Sequence, residues 1–112
     1  MVNSSDNTEL FSRRLKAARK RLGISQMEMG VRAGIAEESA SARINQYERG
    51  KHMPDFLTVC NLAKVLKVPS AYFYAESDLL AELVLSFGSL KVSEQKKLLG
   101  VATSMIAGKQ SS

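Results

Sequence analysis

Residues 34–54, GIAEESASARINQYERGKHMP, contain a helical pattern with little apolar surface. Ala40, Ile44 and Tyr47 recur at positions i, i+4 and i+7, which predicts a helix over about 36–48 with a narrow packing stripe. The opposite side carries Glu38, Ala42, Asn45 and Gln46, and the flanks of the stripe carry Ser39, Ser41 and Arg43, so the exposed side is small and polar. A helix that served only stability would more often carry Glu and Lys four residues apart on that side. We therefore expect it to face a binding partner.

Two helices are predicted upstream of this stretch. Apolar residues at helical spacing indicate a first helix from about residue 8 to 22. A second, over about 25–32, begins with a capping box, in which the Ser25 hydroxyl accepts from the backbone N–H of Glu28 and the Glu28 carboxylate reaches back to Ser25. Residues 1–7 are polar and are predicted to be a disordered tail.

Helical patterns continue downstream. A fourth helix should begin after Asp55 as N-cap and end before Pro69, followed by a short turn over 71–74. Two further apolar-striped segments cover about 78–87 and 93–107. The sequence contains no alternating strand pattern of any length, so the predicted fold class is all-α.

The charge balance favours a polyanionic partner. Sixteen Lys and Arg oppose eleven Asp and Glu, which gives a formal net charge of +5. Residues 9–22 are the densest positive segment, with six basic side chains and one acidic one. The alternative reading of such a run is a solvated helix face that only aids solubility.

Several other classes of protein are disfavoured. The polar start lacks the features of a secretory signal, and no apolar run has the length of about 18 to 20 residues that a membrane span needs, so we expect a cytoplasmic protein. One His and one Cys cannot form a four-ligand zinc site, and no phosphate-binding glycine loop occurs. The sequence therefore predicts no enzyme activity, metal, cofactor or small-molecule ligand.

An ordered set of motifs resembles the phage-repressor type of helix-turn-helix domain, the Cro and xenobiotic-response-element family. The motifs are Ser25-Gln26-x-x-Met29-Gly30-x-x-Ala33-Gly34-Ile35, then Tyr47-Glu48-Arg49-Gly50-Lys51, then Pro54 and Leu62-Ala63. The resemblance covers roughly residues 9–75. It implies a five-helix lambda-repressor-like bundle over 8–76. The apolar-striped segments beyond it predict one or two additional C-terminal helices within 77–112. In this family the third helix enters the major groove of double-stranded DNA.

The resemblance also implies which residues contact the bases. The chain between Gly34 and Gly50 is about one helical turn longer than the commonest spacing, so either the third helix or the turn before it is extended. Counting back from Gly50 assigns base contacts to Ser41, Ala42 and Gln46, with Arg43 and Asn45 beside them. An Asn or Gln amide can pair with adenine, Arg with guanine, and a small Ala can contact a thymine methyl.

Contacts to phosphate are expected around this helix, because they position a DNA-binding protein without reading sequence. The candidates are Gln26, Ser39, Arg49, Lys51, His52, Arg13 and Arg14. Arg19 and Glu48 match a pair that forms a partly buried ion pair in related domains, so we expect a structural role for them.

The C-terminal segments need to bury their apolar stripes, either on their own chain or on a second copy. Dimerisation is favoured, because one helix-turn-helix module reads only a few base pairs. The candidate residues are Leu79, Leu80, Leu83, Val84, Phe87, Leu98, Ala102 and Met105. The whole sequence predicts a homodimeric transcriptional regulator, in particular a repressor, that binds an operator. The alternative is a protein-interaction module, antitoxin-like or an adaptor, on the same scaffold.

Overall fold

The computed structural model describes residues 4–110, and this part of the chain is all-α. It contains α1 (Ser4–Leu22), α2 (Gln26–Arg32), α3 (Glu37–Glu48), α4 (Phe56–Leu66), a short 3-10 helix (Ser70–Tyr74), α5 (Asp78–Ser89) and α6 (Val92–Gln110). We call α1–α4 with the 3-10 helix the body. The predicted bundle is confirmed, and of the one or two additional C-terminal helices expected, two are present. None of the helices between residues 4 and 110 is long and apolar enough to span a membrane.

The N-terminal helix is longer than the sequence indicated. The backbone of Ser4–Asn7, which we expected in a disordered tail, belongs to α1. Adding residues to an existing helix requires no new nucleation, so a polar segment can extend a helix whose other face is already packed. Residues 1–3 of the predicted tail lie outside the described residues.

The core of the body draws on every one of its helices. Its largest fully buried side chains are Phe11, Leu15, Met29, Ile44, Val59, Leu62 and Phe73. The rings of Phe11 and Phe73 lie 5.1 Å apart between centroids, in a tilted arrangement that joins α1 to the 3-10 helix. Burying a side chain of this size stabilises a fold by about 1.5 to 3 kcal/mol, so the body has a core of its own.

Two of the predicted helix caps are present. The Ser25 hydroxyl accepts from the backbone N–H of Glu28 at 3.0 Å, and the Asp55 carboxylate accepts from that of Thr58 at 2.9 Å. The second half of the capping box is absent, because the Glu28 carboxylate pairs with Arg32 one turn later on the same helix.

A glycine allows α2 and α3 to approach closely. A Cβ at Gly30 would lie 2.8 Å from the Cβ of Ala40 and 3.1 Å from its backbone, so only glycine fits. Gly34, in the turn between the two helices, has φ of +96°, a conformation that L side chains rarely adopt. The turn takes only residues 33–36, so the additional helical turn lies within α3.

The C-terminal helices differ in how they relate to the body. α5 buries Ala81 in the core of the body and packs Val84 and Leu85 against it, so the core does not end at the predicted boundary of residue 76. α6 contributes no residue to that core, and all its side chains from 99 to 109 are exposed. Of the two C-terminal helices, α5 therefore folds back onto the body, whereas α6 does not pack into its core.

Candidate nucleic-acid interface

The outer face of α3 has the exposure that its sequence pattern predicted. Ala40, Ile44 and Tyr47 are buried, which turns the opposite side of the helix outward. The exposed candidates for base contact are Ser41, Ala42, Arg43 and Gln46, while Asn45 is half-buried at the edge of the face. We call this set of five residues the α3 face. It offers hydrogen-bond donors and acceptors, a small apolar side chain and one cation, which are the groups that read base edges.

The acidic start of α3 has a structural explanation. Glu37 and Glu38 occupy its first turn and are exposed, and the N-cap residue Ala36 supplies no side-chain hydrogen bond. Carboxylates near a helix N-terminus interact favourably with the helix dipole, which compensates in part for the missing cap. Ser39, a candidate phosphate contact, is half-buried in the same turn.

An ion pair joins α1 to the end of α3, as the resemblance implied. Nε and Nη2 of Arg19 donate to the two carboxylate oxygens of Glu48 at 2.5 and 3.0 Å, and Nη1 donates to the carbonyl of Ile24 at 3.0 Å. The side chains are only 14% and 3% exposed. The hydrogen bond with Glu48 raises the pKa of Arg19 although burial opposes this, so the guanidinium stays charged. The pair orients α3, since desolvation offsets much of its attraction.

Gln26 joins this ion pair instead of pointing freely outward. Its Nε2 donates to Glu48 Oε1 at 3.1 Å and to Asn45 Oδ1 at 3.3 Å. An amide nitrogen carries two protons, so both are already donated within the protein. The predicted phosphate contact of Gln26 through this nitrogen would require it to give up one of these bonds. Sequence reasoning missed the Gln26–Asn45 contact, because no local pattern connects residues 19 positions apart.

The predicted phosphate contact of Arg14 is wrong. Arg14 is 6% exposed, and its Nε and Nη2 donate to the carbonyl of Ala75 at 3.2 and 2.8 Å. Its Nη1 donates to Asp78 at 3.0 Å, and its guanidinium lies 5.7 Å from the centre of the Tyr72 ring. All three guanidinium nitrogens of Arg14 therefore donate hydrogen bonds within the protein. The burial of Arg14 could have been predicted from the helical spacing, because Arg14 lies three residues after Phe11 and so on the packed face of α1.

Four further candidates for phosphate contact are exposed. Arg13 lies on the outer side of α1, and Arg49, Lys51 and His52 lie in the segment after α3. The backbone N–H of Lys51 donates to the carbonyl of Gln46 at 2.9 Å, so this segment is held against the end of α3. The exposed side chains of Arg49 and Lys51 therefore lie directly after α3, and that of Arg13 lies on α1.

A second surface lies on the C-terminal helices. Five of the eight predicted dimerisation residues are large and exposed, with fractions of 80% for Leu79, 46% for Leu80, 52% for Leu83, 41% for Phe87 and 65% for Met105. Ala102 is also exposed, whereas Val84 and Leu98 are half-buried. An apolar groove of about 430 Å³ lies here, lined by Pro69, Ala71, Leu83, Val84, Phe87, Leu98, Leu99 and Ala102. Val84 contributes to both the groove and the core of its own chain.

The order of the helices in the body, with a short turn between α2 and α3 and a polar outer face on α3, is that of a helix-turn-helix protein. Comparison with known proteins agrees: the family model described as helix-turn-helix matches residues 15–73, and the chain belongs to this family, in its xenobiotic-response-element type.

A solved structure, described as the transcriptional regulator BswR, is similar with a TM-score of 0.81 and 47% sequence identity. The similarity covers 87% of this chain and 96% of that one. Because 87% of the chain exceeds the length of the helix-turn-helix domain, the similarity extends into the C-terminal helices. No curated protein matches the chain.

Proposed function

We propose that this protein is a sequence-specific double-stranded DNA-binding transcriptional regulator that inserts α3 into the major groove. The observation that carries the proposal is the exposed α3 face with Arg49 and Lys51 held beside it. The similarity to a protein described as a transcriptional regulator supports the same function. It acts in the cytoplasm and without enzyme activity. It acts as a repressor, because a protein that occupies an operator can block transcription without any further activity.

The regulator acts as a homodimer that uses the C-terminal helices. Contiguous apolar surface that stays exposed on a protein marks an interaction site, and the groove lined by α5, α6 and residues 69–71 is entirely apolar. A second copy supplies the same apolar residues in a two-fold arrangement. Two α3 helices then read two half-sites about one helical turn apart, which provides the specificity that one helix lacks.

Titration of duplex DNA at increasing salt tests the DNA-binding role. The logarithm of the binding constant should fall linearly with the logarithm of the salt concentration, with a slope of about −0.9 per neutralised phosphate. Lys51→Ala should weaken binding to all sequences equally and reduce the slope by about 1. Lys96→Ala, which removes an exposed cation from α6, is the matched control and should leave the slope unchanged.

Selection from random duplexes tests the base-reading role of the α3 face. Gln46→Ala should relax the preference at one base position of each half-site, by about 1 to 3 kcal/mol. Equal losses on all sequences would instead make Gln46 a phosphate contact. If the wild type binds no duplex even at low ionic strength, the scaffold serves protein interaction and the proposal fails.

Sedimentation tests the dimer. Leu83→Glu places a carboxylate on the apolar groove, where a second copy would have to desolvate it. Because Leu83 is exposed in the single chain, the variant should fold, sediment as a monomer and bind a two-half-site operator more weakly. A dimer of unchanged stability would show that the groove is not the interface.

A further inference from the structure

Four residues connect the buried ion pair to the edge of the α3 face. Arg19 donates to Glu48 through two nitrogens, Gln26 donates to Glu48, and Gln26 also donates to Asn45. We call these four residues the amide relay. It begins on α1, passes through the first residue of α2 and ends on α3 at a residue that is only half-buried. The relay therefore links the buried ion pair of Arg19 and Glu48 through hydrogen bonds to Asn45, at the edge of the α3 face.

The hydrogen bonds of the relay determine which atom of the Gln26 and Asn45 amides is the nitrogen and which is the oxygen. Glu48 is bonded through both oxygens to a guanidinium and can only accept further hydrogen bonds. The Gln26 atom that lies 3.1 Å from Glu48 Oε1 must therefore be its nitrogen and not its oxygen. The same nitrogen lies 3.3 Å from the Asn45 amide, so the Asn45 atom facing it must be the carbonyl oxygen. The Asn45 nitrogen is then the amide atom that remains for a partner.

We propose that Asn45 presents its NH₂ group to the major groove, and that Gln26 determines base preference at a position it does not touch. This inference rests on the proposed DNA-binding function. A donor at this site requires an acceptor on the base it meets, such as N7 of a purine, O6 of guanine or O4 of thymine. Cytosine offers only its amino group in the major groove, so it is rejected on the strand that Asn45 reads.

Without Gln26, the amide of Asn45 has two orientations of nearly equal shape. A rotation of the terminal amide exchanges the positions of oxygen and nitrogen. In the rotated state the oxygen accepts from the amino group of cytosine, so discrimination at that base is lost. Gln26 is thus a positioning residue that acts through Asn45.

Selection from random duplexes, followed by measured affinities, tests the inference with the full-length protein. The wild type should disfavour cytosine by about tenfold at one position of each half-site. Gln26→Met keeps the length of the side chain but cannot donate, so the discrimination should fall to about twofold. Affinity for the best sequence and the salt dependence should stay close to those of the wild type, because no cation is removed.

Asn45→Asp provides an independent test that keeps Gln26 in place. A carboxylate still accepts from Gln26 but has no donor to offer, and an acidic side chain accepts from the cytosine amino group. The preference at the same position should therefore shift toward cytosine. Because Asn45 is partly exposed and its bond to Gln26 is preserved, this variant tests the proposal even if Gln26→Met fails to fold.

Three results would overturn the inference. An equal loss of affinity of Gln26→Met for all four bases would make Gln26 a phosphate contact, and unchanged discrimination in that variant would show that Asn45 needs no orientation. A uniform loss for Asn45→Asp, without a shift at one position, would also contradict it. Absence of any duplex binding by the wild type would refute the proposed function itself, which distinguishes the two failures.

Discussion

Many apolar side chains are buried in the body, whereas most of those on α6 are exposed. In the body, side chains such as Leu62 and Ile44 are completely buried, whereas in α6 Leu99, Met105 and Ile106 are 64%, 65% and 57% exposed. α5 lies between these extremes, because Ala81 is buried in the core while Leu79 is 80% exposed. The apolar content of a helix therefore predicts that the helix packs against a partner, but not whether its own chain supplies that partner.

The largest expected effect compares the same substitution in the two regions. Leu62→Ala leaves a cavity in the core and should lower the free energy of unfolding by about 3 kcal/mol at any protein concentration. Leu83→Ala, on the exposed side of α5, should cost less than about 0.5 kcal/mol in dilute solution. At concentrations that favour the dimer, its cost should rise. Denaturant unfolding over a range of concentrations measures both, and equal losses in dilute solution would contradict the comparison.

The second effect concerns the junction between the body and α5. Arg14→Met removes the hydrogen bonds to Ala75 and Asp78 and leaves a buried carbonyl unpaired, which should cost about 2 kcal/mol of stability. The salt slope of DNA binding should not change. Arg13→Met, at the exposed neighbouring position, should do the reverse and reduce the slope by about 1 with little loss of stability. Thermal unfolding and salt titration of both variants check this exchange of roles.

A smaller effect is expected where the chain leaves α4. Lys67 has a left-handed backbone with φ of +60°, which is unfavourable for a residue with a Cβ. Lys67→Gly should therefore raise the free energy of unfolding by about 0.5 to 1 kcal/mol. Lys91→Gly, at the start of α6, removes the same charge without such strain and should be nearly neutral. A loss of stability in Lys67→Gly would show that its side chain matters more than its backbone.

The smallest effect is a difference in pH dependence between two helix caps. The hydrogen bond from Thr58 lowers the pKa of Asp55 below its usual value of 3.8. The charged cap therefore stabilises α4 above that value, and its contribution is lost as the pH falls through the lower pKa of the folded state. Ser77, which caps α5 by accepting from Leu80, does not titrate. Asp55→Asn should reduce the acid sensitivity of the unfolding midpoint, whereas Ser77→Asn should not.

Much of the fold follows from patterns within single helices. The stripe of Ala40, Ile44 and Tyr47 predicted α3 and its outward face, and Ser25 and Asp55 predicted the starts of α2 and α4. These predictions succeeded because helical periodicity and capping involve residues only a few positions apart. For the same reason the exposure of most candidates for base contact could be predicted from α3 alone.

The helices, the polar face and the family could be predicted from the amino-acid sequence, since each depends on local spacing or an ordered set of motifs. The hydrogen bonds from Arg14 to Ala75, 61 positions away, and from Gln26 to Asn45 became visible only in the folded chain. The packing of α5 into the core, which α6 does not share, also became visible only there. The physical reason is that such contacts depend on how helices cross, and the crossing of α2 and α3 is set by the close approach of Gly30 to Ala40.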